Sequence, residues 1–404
     1  MSVPTKLWLP IMLIIVGCNS DDEKLFQGDM VLSAEQYELF YGDSPITSRK
    51  GHSMKSMLWP DGIVPYKITT SSHKQKKEIE TAMKAWADVT CLHFREIPVD
   101  DEYNDPHLLF VRKQGCSSDV GRKYWQNGQE VIIGFGCENP YKIAHEIGHA
   151  IGFHHEQARK DRDDYIKIIT ENFDSKKMAN FKKQTYINNF NIPYDYDSIM
   201  HYSMYAFSDN DKKTIAPHDP TKQFLLGQRD HLSFYDVKLA NVMYSCDSKC
   251  DSKLECQNEG YVDSSCTCTC KPGYGGKTCE KEEPTLKPCG GYVTTSGSSI
   301  TSPNYPQYYT SDQKCVWWIK APEGKKVDAT FTRFDIFRRE TDGKKLCYFD
   351  KLEIRTKDVY QGEEYCGEEL NGKSIQSESN SLVLIFESGT LGIEKGFDVK
   401  VKFV

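Results

Sequence analysis

The 404-residue sequence has no long apolar run beyond its first twenty residues, no Asn-x-Ser/Thr sequon and no excess of basic charge. Without an apolar stretch of about twenty residues, no membrane-spanning helix is expected. Without a sequon, N-glycosylation is not expected. With 51 basic residues against 58 acidic ones and a net charge of -7, the composition gives no reason to expect nucleic acid, whose binders carry a basic face. Cysteine, by contrast, is plentiful. Fifteen clustered cysteines argue for an oxidising compartment and against a reduced cytosolic enzyme. Hydrophobic residues at 38%, with 12% aromatics, suffice to fill cores and exclude wholesale disorder. The length exceeds one ordinary core, so two or three domains are expected.

Lys6 is followed by a short apolar run, residues 7–16, and then by small or polar residues. About ten apolar residues are too few to span a bilayer but fit a secretory signal, here assigned to residues 1–18 with cleavage near 17–20. The mature chain is therefore expected to be secreted and extracellular. Cys18, at the end of Ile15-Val16-Gly17-Cys18, also loosely resembles a lipidated cysteine of bacterial lipoproteins. Setting Cys18 aside leaves an even number of cysteines. Residues 19–50 carry seven acidic residues against three basic ones and end in Arg49-Lys50, a plausible cleavage site. That segment reads either as a disordered tail or as a propeptide.

Residues 51–246 read as a mixed α+β domain. Ile79, Met83 and Trp86 recur at helical spacing within residues 74–89, which predicts a core-facing helix. Asn139-Pro140 supplies a cap and first-turn pair for a second helix starting near Tyr141. Residues 108–112 and 130–135 read as buried strands. Next, six cysteines fall within residues 250–280, a stretch with almost no apolar core that its bridges must hold. Cys268-x-Cys270, then Gly273-Tyr274-Gly275-Gly276 before Cys279, resembles an epidermal-growth-factor-like (EGF-like) module. A charged linker, residues 281–288, follows. Residues 289–404 alternate as strands at 327–331, 351–354, 381–386 and 397–404, which predicts a β-sandwich. Cys289, Cys315, Cys347 and Cys366, with Ser302-Pro303-Asn304-Tyr305-Pro306, resemble a CUB domain.

The chemistry lies in His145-Glu146-Ile147-Gly148-His149-Ala150-Ile151-Gly152-Phe153-His154-His155. Two histidines four apart lie one above the other on a helix, so both rings can meet one ion. Ile143, Ile147 and Ile151 take the opposite side and anchor the helix. Gly152 can adopt the positive φ that ends a helix, returning His155 as a third ligand. Three protein ligands leave zinc an open position, the mark of a catalytic site. Requiring Gly152 and His155 as well as the bare pair cuts chance matches roughly 500-fold. Glu146, beside a ligand but not needed as one, is placed to take a proton from water and pass it to a leaving amine.

Continued through Glu156-Gln157-Ala158-Arg159-Lys160-Asp161-Arg162-Asp163, this stretch resembles the astacin family of metzincin proteases. Ser198-Ile199-Met200-His201-Tyr202 is similar to that family's Met-turn, and residues 58–66 to the start of its mature enzymes. The later modules fit tolloid- and nematode-type architectures. The resemblance implies one zinc ion per catalytic domain on His145, His149 and His155, with Glu146 as general base. Met200 would pack beneath the metal, and Tyr202 would donate to the oxyanion. Glu156 would meet the N-terminus made by activation. Phe26-Gln27-Gly28-Asp29 resembles the propeptide motif whose aspartate, Asp29, binds zinc in the latent precursor. The resemblances also imply the bridges Cys91–Cys246, Cys116–Cys137, Cys250–Cys266, Cys256–Cys268, Cys270–Cys279, Cys289–Cys315 and Cys347–Cys366. One departure is the junction Arg49-Lys50-Gly51-His52, which lacks a small-residue start. Another lies in the CUB-like segment: of three carboxylates that commonly hold calcium, only Asp350 survives, with Phe337 and Gly389 at the other positions. No calcium site is expected there.

The sequence therefore reads as a secreted zinc endopeptidase made as a latent precursor, with residues 19–50 as its propeptide, extracellular protein substrates and exosite partners on its EGF-like and CUB surfaces. The rival is a catalytically dead adhesive matrix protein, against which the intact His145, Glu146, His149, His155 and Tyr202 argue. A bacterial lipoprotein hydrolase rests on Cys18 alone.

Overall fold

A computed structural model describes residues 25–42, 54–185, 187–250, 254–284, 289–339, 347–389 and 394–404. The apolar run at 7–16, Cys18, the Arg49-Lys50 junction and linker residues 285–288 lie outside the described residues. Among those described, no helix is long and apolar enough to cross a membrane.

The N-terminal arm holds strand β1 (Met30–Val31) and helix α1 (Ala34–Tyr41). The Ser33 hydroxyl accepts from the Gln36 amide, and the Gln36 side chain accepts from the Ser33 amide. This capping box fixes the start of an otherwise short helix. Tyr41, at its end, is fully buried against Met57 and Ala158. The arm is therefore part of the folded body, not a solvated tail.

The main sheet comprises β2 (Ile63–Ile68), β3 (His93–Glu96), β4 (His107–Val111), β5 (Cys116–Asp119) and β6 (Gly128–Ile133), with spatial order β1-β5-β6-β4-β2-β3. Strands β3, β2, β4 and β6 are parallel, and β5 runs antiparallel to β6. This leaves β5 to face the arm, and β1 pairs with it in parallel, Met30 opposite Ser118. Strand β6 ends before the predicted residue 135. A Cβ at Gly134 would sit 2.2 Å from the Lys113 carbonyl oxygen, and Phe135 is 89% exposed. The chain leaves the sheet at Gly134 to reach Cys137, which is bridged to Cys116.

Helix α2 (Lys76–Ala87) buries Ile79, Ala82, Met83 and Trp86; residues 74–75 belong to the 3-10 turn ahead of it. Helix α3 (Pro140–Ala150) crosses against α2, with the Trp86 Nε1 donating to the Ala144 carbonyl at 2.9 Å. Two further strands, β7 (Ile166–Ile168) and β8 (Ile215–Pro217), form a ribbon, and helix α4 (Phe234–Met243) closes the domain. The Cys91–Cys246 bridge ties the end of this domain back to the sheet.

The next segment holds three disulfides, Cys250–Cys266, Cys256–Cys268 and Cys270–Cys279. Around them lie the two-residue strands β9 (Tyr261–Val262), β10 (Cys268–Thr269), β11 (Tyr274–Gly275) and β12 (Lys281–Glu282). The C-terminal unit is a sandwich of β13 (Gly290–Val293), β14 (Ser299–Thr301), β15 (Lys314–Lys320), β16 (Val327–Asp335), β17 (Lys351–Arg355), β18 (Glu363–Tyr365), β19 (Ser374–Gln376), β20 (Ser381–Glu387) and β21 (Gly396–Phe403). One sheet is ordered β13-β15-β20-β17-β18 and the other β14-β21-β16-β19. Alternating inward residues such as Val327, Ala329 and Phe331 fill the space between them. Bridges Cys289–Cys315 and Cys347–Cys366 hold its edges.

Candidate metal centre

Helix α3 begins at Asn139, whose side chain accepts from the amides of Tyr141 and Lys142 at 2.7 and 3.3 Å. Ile143, Ile147 and Ile151 are all fully buried and seat one face of the helix in the core. The opposite face then carries His145 and His149, with ring centroids 4.8 Å apart. Gly152, at φ 110°, takes the turn that ends the helix. That reversal brings His155 to 5.4 Å from the first ring and 4.7 Å from the second. Met200 lies under the helix: a Cβ at Gly148 would fall 2.7 Å from its sulfur.

Each ring is oriented through its other nitrogen. His145 Nδ1 meets the Ile199 carbonyl at 2.7 Å, His149 Nδ1 the Phe153 carbonyl at 2.9 Å and His155 Nδ1 the Gln27 Oε1 at 3.0 Å. These partners only accept, so each Nδ1 carries the proton and each Nε2 presents a lone pair. All three Nε2 atoms converge on the carboxylate of Asp29, at 3.2, 3.6 and 3.1 Å. The four ligand atoms lie within 4.8 Å of one another. Buried acceptors facing acceptors with no proton between them are unstable unless a cation sits among them. His149 Nε2 and one oxygen each of Asp29 and Glu146 are buried without a hydrogen-bond partner. An N₃ set with one carboxylate suits zinc. Burial, followed by the nearby Arg229 charge, pushes His145 down to about 3, and burial lowers His155 as well, the direction that suits a metal ligand.

Glu146 is buried beside His145, and burial followed by the Asp29 charge raises its carboxyl well above the usual range. The Tyr202 hydroxyl donates to the Gln27 carbonyl, and its ring lies 4.6 Å from that of His155. The residues of Phe26-Gln27-Gly28-Asp29 thus occupy the cleft. Glu156 accepts from Arg159 at 3.0 Å and from the Asp195 amide at 2.8 Å. It lines a cavity of ≈ 50 Å³ with Arg159, Asp195, Met200 and Asp236. The N-terminus expected to reach it comes from residues outside those described.

Four functional neighbours escaped the sequence reading. Gln27 orients His155 and anchors itself to the Lys182 carbonyl at 2.9 Å. Asp236, on α4, accepts from Ser198 at 2.6 Å and from the Ile199 amide at 2.8 Å, so it fixes the turn under the histidines. Arg229 donates to the His201 carbonyl at 3.2 Å and sets a cation near Glu146 and Asp29. His154 meets the Tyr41 hydroxyl at 3.0 Å. Only Gln27 had a sequence signal, its place inside the four-residue motif.

Residues 51–245 match the family model described as Astacin (Peptidase family M12A), and residues 289–401 match the CUB domain model. The chain is 39% identical over 396 residues to Blastula protease 10 of Paracentrotus lividus, covering 94% of this chain and 65% of that protein. It is 33% identical over 395 residues to the zinc metalloproteinase dpy-31 of Haemonchus contortus, covering 93% of this chain and 71% of that one. Among solved structures, it is 37% identical to high choriolytic enzyme 1, a hatching enzyme zinc-protease of the medaka fish Oryzias latipes. That match has a TM-score of 0.43 and covers 49% of this chain and 99% of the other. The chain thus spans just under two thirds of the length of the sea-urchin relative.

Proposed function

Because the chain belongs to the astacin family of peptidases, we propose that it is a secreted zinc-dependent endopeptidase made as a latent precursor. The observation that carries this reading is the convergence of three buried imidazole nitrogens on one point, with a buried carboxylate, Glu146, alongside. His145, His149 and His155 would hold the zinc. When bound, zinc supplies Lewis acidity toward a peptide carbonyl and makes water a nucleophile near neutral pH. Glu146 takes the proton of the attacking water and delivers it to the leaving nitrogen, with no covalent acyl-enzyme. Tyr202 donates its hydroxyl proton in a hydrogen bond to the developing oxyanion. Met200 supports the ligand helix from below.

In the precursor, the Asp29 carboxylate stands where substrate and water must enter, and Gln27 ties up the Tyr202 hydroxyl. Cleavage near Arg49-Lys50 frees the arm, and the new N-terminus reaches the cavity beside Glu156. The disulfide-rich segment acts as an EGF-like module. It and the CUB sandwich offer surfaces to extracellular protein substrates.

The test uses the full chain secreted from a eukaryotic host. Before cleavage it should leave a protein substrate intact. After trypsin-like cleavage it should hydrolyse it, lose activity to a chelator and regain it with stoichiometric zinc. Activity that survives complete removal of zinc would overturn the reading.

A further inference from the structure

The C-terminal sandwich is docked on the catalytic domain through buried charge. The Lys213 ammonium donates to Glu353 Oε2 at 2.6 Å, and the two side chains are 11% and 6% exposed. Arg355, beside Glu353 on β17 and fully buried, donates to Glu353 Oε1 at 2.8 Å and to Gln223 Oε1 at 2.6 Å. Its remaining guanidinium nitrogen meets the Val359 carbonyl. Around this cluster, Phe224 packs on Val316, Val383 and Ile385 of the sandwich. At the rim, His218 meets the Tyr360 hydroxyl at 2.9 Å and Tyr292 donates to Asp219 at 2.6 Å. Burying an Arg–Glu–Lys set costs each ion its hydration and returns that only with full pairing. Such a set contributes position more than stability.

What it positions is legible from the next residue. Thr214 donates its hydroxyl to the Ala206 carbonyl at 2.7 Å, and the amides of Thr214 and Ile215 both donate to the Met204 carbonyl, at 2.8 and 3.2 Å. Residues 204–207 follow Tyr202 after one residue, Ser203. The Phe207 ring stands 5.6 Å from the Tyr202 ring, and a Cβ at Gly28 would fall 2.9 Å from its edge. Phe207 is thus a wall of the cleft that the Phe26–Asp29 stretch now fills.

We propose that Glu353, in the C-terminal sandwich, is a positioning residue for the active-site cleft, acting through Lys213 and Thr214 on the wall made by residues 204–207. The sandwich is then a brace of the substrate site as well as a surface of its own. The kinetic half of this proposal rests on the protease reading above; the structural half does not.

The experiment measures hydrogen exchange of the full-length precursor, wild type against Glu353→Gln. That variant keeps the side-chain shape but leaves Lys213 and Arg355 facing one another without a counter-charge. The amides of Ala206, Thr214 and Ile215 should exchange at least about tenfold faster, while those of β2 stay unchanged. Adding Lys213→Met to Glu353→Gln removes one unpaired cation and should restore much of the protection. Lys213→Met alone leaves Glu353 neutralised by Arg355, so it covers the case in which Glu353→Gln does not fold; it should show the same pattern, more weakly. After activation, Glu353→Gln should raise KM for a short peptide about threefold or more and leave kcat nearly constant, the signature of lost binding along the cleft. Faster exchange confined to β17 and β20, with residues 204–217 unmoved, would overturn the proposal and reduce the contact to a tether. Exchange responding as expected in a chain without hydrolytic activity would sustain the brace and sink the protease reading instead.

Discussion

The hydroxyl of Tyr202 donates to the backbone carbonyl of Gln27, the same residue whose side chain accepts from His155. Two side chains of the candidate site are thus held by one arm residue, two positions before Asp29, which faces all three histidines. The proposed latency would then rest on more than one contact. Asp29→Ala should release measurable hydrolysis from the uncleaved precursor, yet less than cleavage releases, because Gln27 still restrains His155 and Tyr202. Asp29→Ala combined with Gln27→Ala should release more. Peptide hydrolysis before and after trypsin-like cleavage measures both. An uncleaved Asp29→Ala precursor as silent as wild type would show that the arm blocks the cleft sterically and not through the histidines.

Glu146 and Tyr202 separate by magnitude. Glu146→Ala should keep one zinc per chain and its fold while losing nearly all peptide hydrolysis. Tyr202→Phe should lose about 10²–10³ in turnover, the usual effect of removing one oxyanion donor. Zinc content by atomic absorption beside kcat on the activated enzyme checks both. Wild-type turnover in Glu146→Ala would remove the general base from the mechanism.

Gly148 is required by packing. A Cβ there would approach the Met200 sulfur to 2.7 Å in a fully buried layer. Gly148→Ala should therefore destabilise by about 1–3 kcal/mol, the range for one methyl forced into a packed core. In a domain of this size that lowers Tm by about 2–4 °C per kcal/mol. Calorimetry of the precursor reads it. Because the same shift moves His145 and His149, zinc affinity should fall with it, and an unchanged Tm would mean that Met200 yields freely.

How much of this was visible beforehand follows from the range of each interaction. His145, His149, Gly152 and His155 are related by helix period and one turn, so their convergence can be read from spacing alone. Asp29 was legible only through the resemblance of its four-residue motif. Arg229, Asp236 and Glu353 were not legible. They reach their partners across 28 to 140 positions, and nothing local distinguishes them from solvated charges. Phe135 shows the opposite error: an apolar residue closing an apolar run reads as strand, but the approach of Lys113 at Gly134 ends the strand at Ile133, two residues earlier. The resemblance marks the arm as a propeptide, but its fold has no local signal, because its order comes from Tyr41 and Met30 burying themselves in a distant surface.

The last prediction concerns calcium. Asp350 is the one carboxylate left of the three that commonly hold calcium in CUB domains, and it is 1% exposed. The Tyr309 hydroxyl donates to its Oδ2 and the Gly389 amide to its Oδ1 at 2.7 Å. The Phe337 amide in turn donates to the Tyr309 oxygen at 3.3 Å. The three loop positions are therefore joined by internal hydrogen bonds through Asp350. Its oxygens point at donors, whereas calcium asks for six to eight oxygen ligands with several charges among them. Calorimetric titration of the full chain with calcium should show no saturable site tighter than about 10⁻⁴ M, the weak end for extracellular modules. Tyr309→Phe should cost about 1–3 kcal/mol, because a buried carboxylate oxygen loses its donor, and added calcium should not restore it. A stoichiometric micromolar site abolished by Asp350→Ala would mean that these loops open to bind the ion and that the hydrogen bonds to Asp350 are only its resting state.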